Sequence, residues 1–457
     1  MASHRNGAPR PCSLRRNARH RGRRRYPRRA HGSISAILTS CPEAKALPAS
    51  ARLLLACCLD QSLVEGEQLR ALAAEVDDWD AFLEQAAHHF VLPVVQARLG
   101  ELLPPEPRAR LEAAVLDVAC HNLQIAGTLG QLHRDWLAPN RIRYAAVKGV
   151  TLAQRYYGAV GRRACRDLDI LIDRPHFAPT VAHLCAAGYV LREPFELPAD
   201  PARHAAHIEA ACDLNCEVAL RSPGGVMIDL HRNLDLTGAD FPPARLFGRA
   251  ETVRIAGADI PVLSTADLFV YICYHHSRHQ WSRLHWVADL GRIAAAPEFD
   301  RDATRRVAAA AGMEKLVLAC LDMPRLLARV VAGEVLEDAG LASLMAGECV
   351  TYLTPGALPP EHEHHARLSD RKYRWRHLFG TIATEWRQRE GAVRRFRAAT
   401  KSLRPSWQAY LDLPLPRGLR WLYTPWRFAA HLVRYLPLPS ASSGKRDDGG
   451  PPPRQQS

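Results

Sequence analysis

One short stretch restricts the fold of this chain more than any other. Residues 148–172 run from a Lys-Gly turn through a short helical pattern to a strand that reads Arg-Asp-Leu-Asp-Ile-Leu-Ile. Successive side chains of a strand alternate between its faces, so Asp167 and Asp169 share one face and the apolar residues occupy the other. Neighbouring carboxylates repel each other unless a cation lies between them. The stretch therefore predicts a cation site on a rigid strand, and Mg2+ suits it because that ion prefers hard oxygen ligands.

A third carboxylate follows in a predicted β-hairpin. Two apolar runs, 215–221 and 226–232, flank a Ser-Pro-Gly-Gly turn, which is typical of a hairpin. Asp229 lies in the middle of the second run and shares a face with Met227 and His231. An aspartate inside an apolar strand is costly unless it is paired, hydrogen-bonded or bound to a metal. We therefore predict that Asp229 completes a cluster with the first two carboxylates.

This order of parts resembles the nucleotidyltransferase superfamily that includes DNA polymerase beta, and more closely a bacterial nucleotidyltransferase family with a Lys-Gly turn. The superfamily has a glycine-containing turn, a helix, an Asp-x-Asp strand and a third aspartate on a later strand. The matching parts here are Lys148-Gly149, the helical stretch 150–158, Asp167 with Asp169, and Asp229. The Lys-Gly pair stands where the superfamily carries Gly-Gly or Gly-Ser. The resemblance covers about residues 50–300.

The resemblance implies a two-metal transfer of a nucleoside monophosphate (NMP) from a nucleoside triphosphate (NTP). Asp167 and Asp169 would ligate the metal that carries the triphosphate, and Asp229 would help to hold the second metal. The three aspartates would thus be both the catalytic and the metal-binding residues. The ion would be Mg2+, with Mn2+ as the alternative. Simpler interpretations are a solvated edge strand for the first pair and a buried, hydrogen-bonded carboxylate for Asp229.

The resemblance also implies a substrate-binding set beside the carboxylates. Gly149 would let the backbone approach the phosphates closely, and the helix that follows would direct free amide groups at them. Lys148 would add a positive charge, as would Arg166 or Arg163. The simpler interpretation of Lys148 is a surface lysine beside a turn.

Other polar residues have plainer interpretations. Asp173 precedes an apolar helix and is predicted to cap it, and Glu217 is predicted to lie on the polar face of the hairpin. His275 and His279 would be one helical turn apart, a spacing that zinc can use. The glutamate of a His-Glu-x-x-His helix is absent, however. We therefore predict packing and substrate-side contacts for this histidine block, with Trp281 as a core residue.

The charge of the chain is concentrated at its start. The net charge is +14, but residues 1–31 contain eleven arginines and no acidic residue. The remainder therefore carries only +3 and is mildly basic. The head is too polar for a secretory signal. We expect it to be disordered, with nucleic-acid binding and an organellar transit peptide as alternatives.

Cysteine usage favours a reducing compartment. The twelve cysteines include no Cys-x-x-Cys pair, so neither a zinc framework nor a spaced disulfide framework is indicated. Most are predicted to be small core residues. No run approaches the roughly twenty apolar residues of a membrane span. The predicted location is the cytoplasm.

The predicted fold class is α+β: a small mixed β-sheet nucleotidyltransferase core flanked by N-terminal and C-terminal helical regions. Strand and hairpin patterns mark the core, and apolar residues at helical spacing mark the flanking regions. The predicted segments are a basic disordered head and linker (1–50), an N-terminal helical region (51–139), the nucleotidyltransferase core (140–262), a C-terminal helical region (263–439) and a disordered tail (440–457).

The favoured function is a metal-dependent nucleotidyltransferase that moves NMP from an NTP, ATP among the candidates, to an unidentified acceptor hydroxyl. The acceptor could be a small molecule, a protein or an RNA. The rival is a catalytically inactive NTP-binding or scaffold protein with the same fold. A third interpretation is a nucleic-acid-binding protein that uses the basic head and the basic, aromatic residues 371–400.

Overall fold

The computed structural model describes residues 47–192, 201–236, 238–336, 340–354, 382–384, 386–400, 407–426 and 429. The basic head (1–31) and the tail after residue 439, both predicted to be disordered, lie outside these residues. None of the helices in the described ranges combines the length and apolarity that a membrane-spanning helix requires.

Helices precede the sheet. They are α1 (Ala49–Cys58), α2 (Gly66–Ala74), α3 (Trp79–His88), α4 (Leu92–Leu99) and α5 (Pro105–Leu132), and a π-helical turn at His133–Leu137 continues the last of them. The Asp78 side chain caps α3 by accepting a hydrogen bond from the Ala81 amide, which satisfies one of the free donors of the first turn.

A seven-stranded mixed sheet forms the centre of the chain. Its strands are β1 (Tyr144–Ala146), β2 (Asp167–Ile172), β3 (Val190–Leu191), β4 (Glu217–Arg221), β5 (Met227–His231), β6 (Glu251–Ile255) and β7 (Ala258–Val262). Their spatial order is β3-β4-β5-β2-β1-β7-β6. β2 therefore lies at the middle of the sheet, parallel to β5 on one side and antiparallel to β1 on the other.

Short helices connect the strands. They are α6 (Val150–Tyr156), a 3-10 turn (Val160–Arg162), α7 (Arg174–Ala186), α8 (Pro201–Leu214) and α9 (Pro243–Gly248). The parallel neighbours β2 and β5 are joined by α7, β3, α8 and β4, because a parallel pair needs a long crossover connection.

Further helices follow the sheet. They are α10 (Thr265–Arg278), α11 (Leu284–Ala294), α12 (Arg301–Ala311), α13 (Glu314–Val331), α14 (Leu341–Thr351), α15 (Ala392–Ala399) and α16 (Trp407–Asp412), with a 3-10 turn at Arg417–Leu422. The Ser264 hydroxyl caps α10, as its position before the helical pattern predicts, by accepting from the Asp267 amide.

The two faces of the sheet belong to different apolar cores. Leu168, Ile170 and Ile172 of β2 pack in a core shared with α5, α7 and α16. On the opposite face, Leu171 packs in a core built mainly from α1, α4, α10, α11 and α13. Both faces are covered by helices, so an ionisable side chain at the centre of the sheet, such as Asp169, is shielded from water and needs a partner.

The predicted α+β class is confirmed, as is the hairpin made by β4 and β5. The prediction that Asp173 caps α7 through its side chain is wrong. Asp173 does occupy the N-cap position, but its side chain bonds no backbone amide of the helix. Its carboxylate instead accepts from Arg143 Nε at 3.1 Å and lies 2.6 Å from His176 Nδ1. The charged Arg143 guanidinium competes better for the carboxylate than a neutral amide does.

The described cysteines are all free thiols, and most are buried as predicted (Cys57, Cys58, Cys165, Cys212, Cys273, Cys320 and Cys349). Cys120 differs from these, since it lies exposed on α5.

Candidate active site

The predicted carboxylates converge on one face of the sheet. In the parallel pairing of β2 with β5, Asp169 is the partner of Asp229, and Asp167 is the partner of Met227. Partner residues on adjacent strands direct their side chains to the same face. Asp167 and Asp169 share that face because they are two residues apart. The three aspartates therefore lie together at the centre of the sheet, although sixty residues separate the last two.

Asp169 is the most deeply placed of the three. It is buried, and its Oδ1 lies 3.1 Å from Lys148 Nζ and 3.0 Å from His231 Nε2. Burial alone would raise the pKa of this carboxyl, but Lys148 and His231 outweigh burial and hold the pKa at about 2. Its Oδ2 is also buried and has no hydrogen-bond partner in the described part of the chain. Asp169 is therefore ionised, with one oxygen still able to accept a ligand.

The other two aspartates have the opposite electrostatic situation. Burial and the charge of Asp169 raise the pKa of Asp167, despite the opposing influence of Lys148 and Arg166. Burial, followed by the charges of Asp169, Glu217 and Asp167, raises the pKa of Asp229 to about 7. Each carboxylate makes its neighbours harder to ionise, so additional positive charge would stabilise the ionised cluster.

His231 links the cluster to Glu217. Its Nε2 faces Asp169, and its Nδ1 lies 3.4 Å from Glu217 Oε2. Burial lowers the pKa of His231, but these two carboxylates outweigh burial and the net shift is upward. The sequence analysis assigned no role to His231. Its position two residues after Asp229, on the same face of β5, could have indicated that it lies beside the carboxylates.

The Lys-Gly turn delivers its lysine directly to the cluster. Lys148 is largely buried, with 18% of its side chain exposed. Burial disfavours its charged form, but the Asp169 carboxylate raises the pKa of Lys148 above its usual value. Gly149 has a φ of +70° and a ψ of −130°. A Cβ at that position would lie 3.1 Å from the Asp167 carbonyl oxygen. The turn thus requires glycine at this position. The turn holds the Lys148 ammonium against β2, the strand that carries Asp167 and Asp169.

The two candidate arginines have different positions. Arg166 is 65% exposed, and its Nη2 lies 3.9 Å from Asp167 Oδ2 at the rim of the cluster. Arg163 is buried and forms two bonds of 2.7 Å to the Asp289 carboxylate of α11. The alternative prediction that Arg163 supplies charge to the phosphates is therefore wrong, since both arms of its guanidinium are committed to a buried ion pair.

Aromatic and histidine side chains form a wall beside the carboxylates. His276 stacks on Trp286 with ring centroids 5.0 Å apart, and Trp281 is fully buried. Burial lowers the pKa values of His275, His276 and His285, so these rings are neutral, and the positive charge of Lys148 adds to the effect. The block packs as predicted.

The turn after α3 also reaches this wall. Phe90 has a φ of +59°, and the guanidinium carbons of Arg166 and Arg283 each lie 5.3 Å from the centroid of its ring. Phe90 belongs to the N-terminal helices, far from the core motifs in sequence, and no sequence pattern indicated its position. The surroundings of Arg166 are thus built from three separate parts of the chain.

The cluster fits a hard divalent cation in its chemistry, although it is not assembled around one. In the described ranges, no three or more His, Cys, Asp or Glu side chains are arranged to hold an ion. The Lys148 ammonium engages one oxygen of Asp169, and the other oxygen is buried without a partner. Carboxylate oxygens are the donors that Mg2+ prefers. The carboxylates are therefore the type of donor that Mg2+ prefers. A bound cation would give the buried Oδ2 of Asp169 the partner that it lacks.

Comparison with known proteins agrees with this geometry. Residues 75–329, more than half of the chain, match the family described as "Uncharacterised nucleotidyltransferase". The chain belongs to this nucleotidyltransferase family. The matched region runs from the end of α2 almost to the end of α13, so it contains the whole sheet, the carboxylate cluster and the wall beside it. The resemblance noted from the Lys-Gly turn and the Asp-x-Asp strand is thereby confirmed.

Among solved structures, this chain shares weak similarity with an antigenic nucleotidyltransferase-like protein from Paracoccidioides brasiliensis. The two are 17% identical, and the match covers 48% of this chain and 96% of the other, with a TM-score of 0.29. That score is too low to establish a common fold. No curated protein matches the sequence significantly.

Proposed function

We propose that this nucleotidyltransferase moves NMP from an NTP to an acceptor hydroxyl in a metal-dependent reaction. The observation that carries the proposal is the register of β2 and β5, which sets Asp169 beside Asp229 with Asp167 on the same face. Three carboxylates on two central strands form a rigid acidic site, and family membership supplies the reaction class. Rigid placement matters because phosphoryl-type transfer depends mainly on positioning and electrostatic stabilisation.

In this proposal Asp167, Asp169 and Asp229 hold Mg2+, with Mn2+ as the alternative ion. When bound, the metal would neutralise phosphate charge and stabilise the entering and leaving oxygens. The unpartnered Oδ2 of Asp169 and the raised pKa of Asp229 support this assignment. A buried carboxylate oxygen without a partner and a carboxyl whose pKa is raised by its neighbours would both be stabilised by an added cation.

Lys148, Gly149 and Arg166 are proposed to bind the triphosphate. Lys148 donates one of its three hydrogens to Asp169 and keeps the others for a phosphate oxygen. Arg166 stands exposed at the rim, where it can meet the outer phosphates. Gly149 allows the backbone conformation of the turn that places Lys148 beside the carboxylates, and so positions that lysine for the triphosphate.

The acceptor hydroxyl would attack the α-phosphorus, the bond to the β-phosphate would break, and pyrophosphate would leave. The hydroxyl loses its proton in this exchange. That proton passes to water, because all three carboxylates hold the metal in this proposal. The acceptor could be a small molecule, a protein or an RNA.

The test uses Asp169→Asn. The wild-type chain, with Mg2+ and each of four α-labelled NTPs, is expected to label an acceptor in cell extract, and the variant is expected to lose more than about 100-fold of this activity. Asp259→Asn is the matched control, because Asp259 is an exposed aspartate of β7 that pairs with Arg254. Circular dichroism checks that both variants fold. Retained transfer by a folded Asp169→Asn chain would refute the proposed site.

A second candidate function is a catalytically inactive protein that binds an NTP. Two observations favour it: Lys148 already neutralises Asp169, and no ion site is assembled in the described residues. Tight binding of an NTP without pyrophosphate release, across all four NTPs, would support this candidate over the enzyme.

Cytoplasmic location is part of the same proposal. The seven buried free thiols suit a reducing compartment. Nucleic-acid binding through residues 1–31 stays a prediction, since that segment lies outside the described residues.

A further inference from the structure

His231 connects three neighbouring strands on the face of the sheet that carries the carboxylates. On β5 it is the partner of Glu217 in β4 and of Leu171 in β2. Partner residues on adjacent strands direct their side chains to the same face, and Asp169 shares that face because it lies two positions before Leu171. Asp169 is therefore a diagonal neighbour of His231, within reach of a long side chain.

Both ring nitrogens of His231 face a carboxylate. Nε2 lies 3.0 Å from Asp169 Oδ1, and Nδ1 lies 3.4 Å from Glu217 Oε2. An ionised carboxylate has no hydrogen to donate, so His231 is the donor in its contact with Asp169. The Asp169 side chain is 2% exposed and that of Glu217 is 48% exposed. The contact with Asp169 is thus the shorter one and the one shielded from water, which makes it the stronger.

The two oxygens of Asp169 have different surroundings. Oδ1 accepts from His231 and also lies 3.1 Å from Lys148 Nζ. Oδ2 is buried without a hydrogen-bond partner in the part of the chain that the structure describes. Lys148 alone would restrain the carboxylate weakly, because its ammonium stands at the end of a flexible four-carbon stem. The rigid ring of His231 comes from an interior strand of the sheet, so it restrains Oδ1 and leaves Oδ2 available.

We infer that His231 is a positioning residue for the proposed metal site. Its hydrogen bond to Oδ1 orients Asp169 so that Oδ2 is available to the divalent cation, and Glu217 restrains the ring from the other side. The inference rests on the proposed function, because it concerns the ion that this function requires. His231 is not itself a ligand in this role. Residues that orient metal ligands typically change metal affinity about 10–100-fold when they are replaced.

Binding of Mn2+ to the full chain tests the inference without any turnover. Electron paramagnetic resonance measures the free ion, so a titration gives the dissociation constant. We expect a site in the wild type that Asp169→Asn removes. His231→Leu should raise the dissociation constant about 10–100-fold, because Oδ1 then keeps only Lys148. His176→Leu is the matched control and should leave it unchanged, because His176 lies beside Asp173, outside the cluster.

Two amide variants separate positioning from folding. Glutamine carries its NH2 group one methylene farther from the backbone than asparagine does, close to the place of Nε2, so His231→Gln can still donate to Asp169. His231→Asn is equally polar but too short to do so. We expect the glutamine variant to bind Mn2+ nearly as well as the wild type and the asparagine variant to bind as weakly as His231→Leu. A purely structural role would lower stability in urea without this difference, so equal affinity of the two amide variants would overturn the inference.

Glu217→Leu tests the outer contact. We expect a smaller rise in the dissociation constant than for His231→Leu, because Glu217 is half exposed and acts only through the ring. Glu84→Leu is the control, since Glu84 is an exposed glutamate of α3. An unchanged dissociation constant in Glu217→Leu would overturn the part assigned to Glu217.

Failure of the inference can be distinguished from failure of the proposed function. A wild-type chain without a Mn2+ site, or a site that Asp169→Asn leaves intact, would refute the proposed metal site and this inference with it. A site that Asp169→Asn removes but His231→Leu leaves at full affinity would overturn the inference alone.

Discussion

At the scale of single residues, two aspartates that are partners across β2 and β5 have pKa values shifted in opposite directions. Asp169 is held at about 2 by Lys148 and His231 against the effect of burial. At Asp229, burial and the neighbouring carboxylates outweigh the charge of His231 and raise the pKa to about 7. The Lys148 ammonium thus keeps Asp169 ionised, whereas the carboxyl of Asp229 gains and loses its proton near neutral pH.

Asp229 should therefore destabilise the fold above neutral pH. Its folded pKa of about 7 exceeds the unfolded value of 3.8, so the folded chain binds the extra proton between these values and stability falls as the pH rises through that window. In EDTA, Asp229→Asn should raise the free energy of unfolding at pH 8 on the order of 1–2 kcal/mol, after allowance for solvent screening. The gain should shrink toward pH 4.

Urea unfolding at pH 8 and pH 5 measures this difference, with the exposed Asp259→Asn as the control. A variant that is less stable than the wild type at pH 8, or a gain that does not change with pH, would contradict the expected role of burial and charge at Asp229.

Much of this residue-scale arrangement could be predicted from the sequence, because strand parity is a local property. Parity places Asp167 with Asp169 and leaves Asp229 on a definite face of its own strand. It does not reveal which strands are neighbours or in what register. The contacts of Lys148 and His231 with Asp169 depend on that register, and no local pattern encodes it.

At the scale of elements, the turn between β1 and α6 is the most constrained connection near the site. Gly149 combines a positive φ with close approach to the Asp167 carbonyl, and the Val147 amide donates to the Asp169 carbonyl at 3.0 Å. The turn is therefore bonded to the strand that carries the carboxylates. The conformation of Gly149 and the hydrogen bond from Val147 together fix the position of the Lys148 ammonium.

Gly149→Ala should strain this turn. A residue with a Cβ at that φ and ψ costs on the order of 1–3 kcal/mol, and the added atom would also push against β2. Gly291→Ala is the control: Gly291 lies inside α11 with nothing within 4 Å of an added Cβ, and alanine in a helix is favoured over glycine by about 1 kcal/mol. Urea unfolding should show a loss for the first variant and no loss for the second. Equal behaviour of the two would argue against a special requirement at the turn.

The sequence predicts the elements well where turns and periodicity coincide. The predicted strand 167–172 matches β2, and the hairpin matches β4 and β5. Asp173 shows the limit of such predictions. Its place before α7 suggested a side-chain cap, but its carboxylate contacts Arg143 and His176 instead. A helix-capping pattern in the sequence indicates neither of these contacts.

At the scale of the whole molecule, a buried ion pair connects the loop before β2 to the helices that follow the sheet. Arg163 forms a two-bond pair with Asp289 of α11, and the Tyr157 hydroxyl donates to the same carboxylate at 2.8 Å. The sequence could not reveal this pairing, because 126 positions separate the two partners. For the same reason, it did not show that Phe90 would reach the wall beside the carboxylates.

Breaking this ion pair should be costly. Arg163→Met leaves Asp289 buried without its counter-charge, and we expect a loss of about 3–5 kcal/mol in unfolding free energy. Arg254→Met is the control, because the Arg254–Asp259 pair is exposed and such pairs contribute about 0–1 kcal/mol. Arg163→Met combined with Asp289→Leu should recover most of the loss. Urea unfolding of all three variants checks the expectation, and an Arg163→Met chain as stable as the control would contradict it.

The central place of β2 in the sheet has a consequence for motion. With β1 on one side and β5 on the other, its amides are bonded to neighbouring strands and should exchange with deuterium only in rare, large openings. The turn at 222–226 is bonded within itself, from the Ser222 amide to the Val226 carbonyl oxygen and from the Val226 amide to the Ser222 hydroxyl, and should exchange sooner. Motion near the site should then be confined to such turns, while the acidic strand stays still.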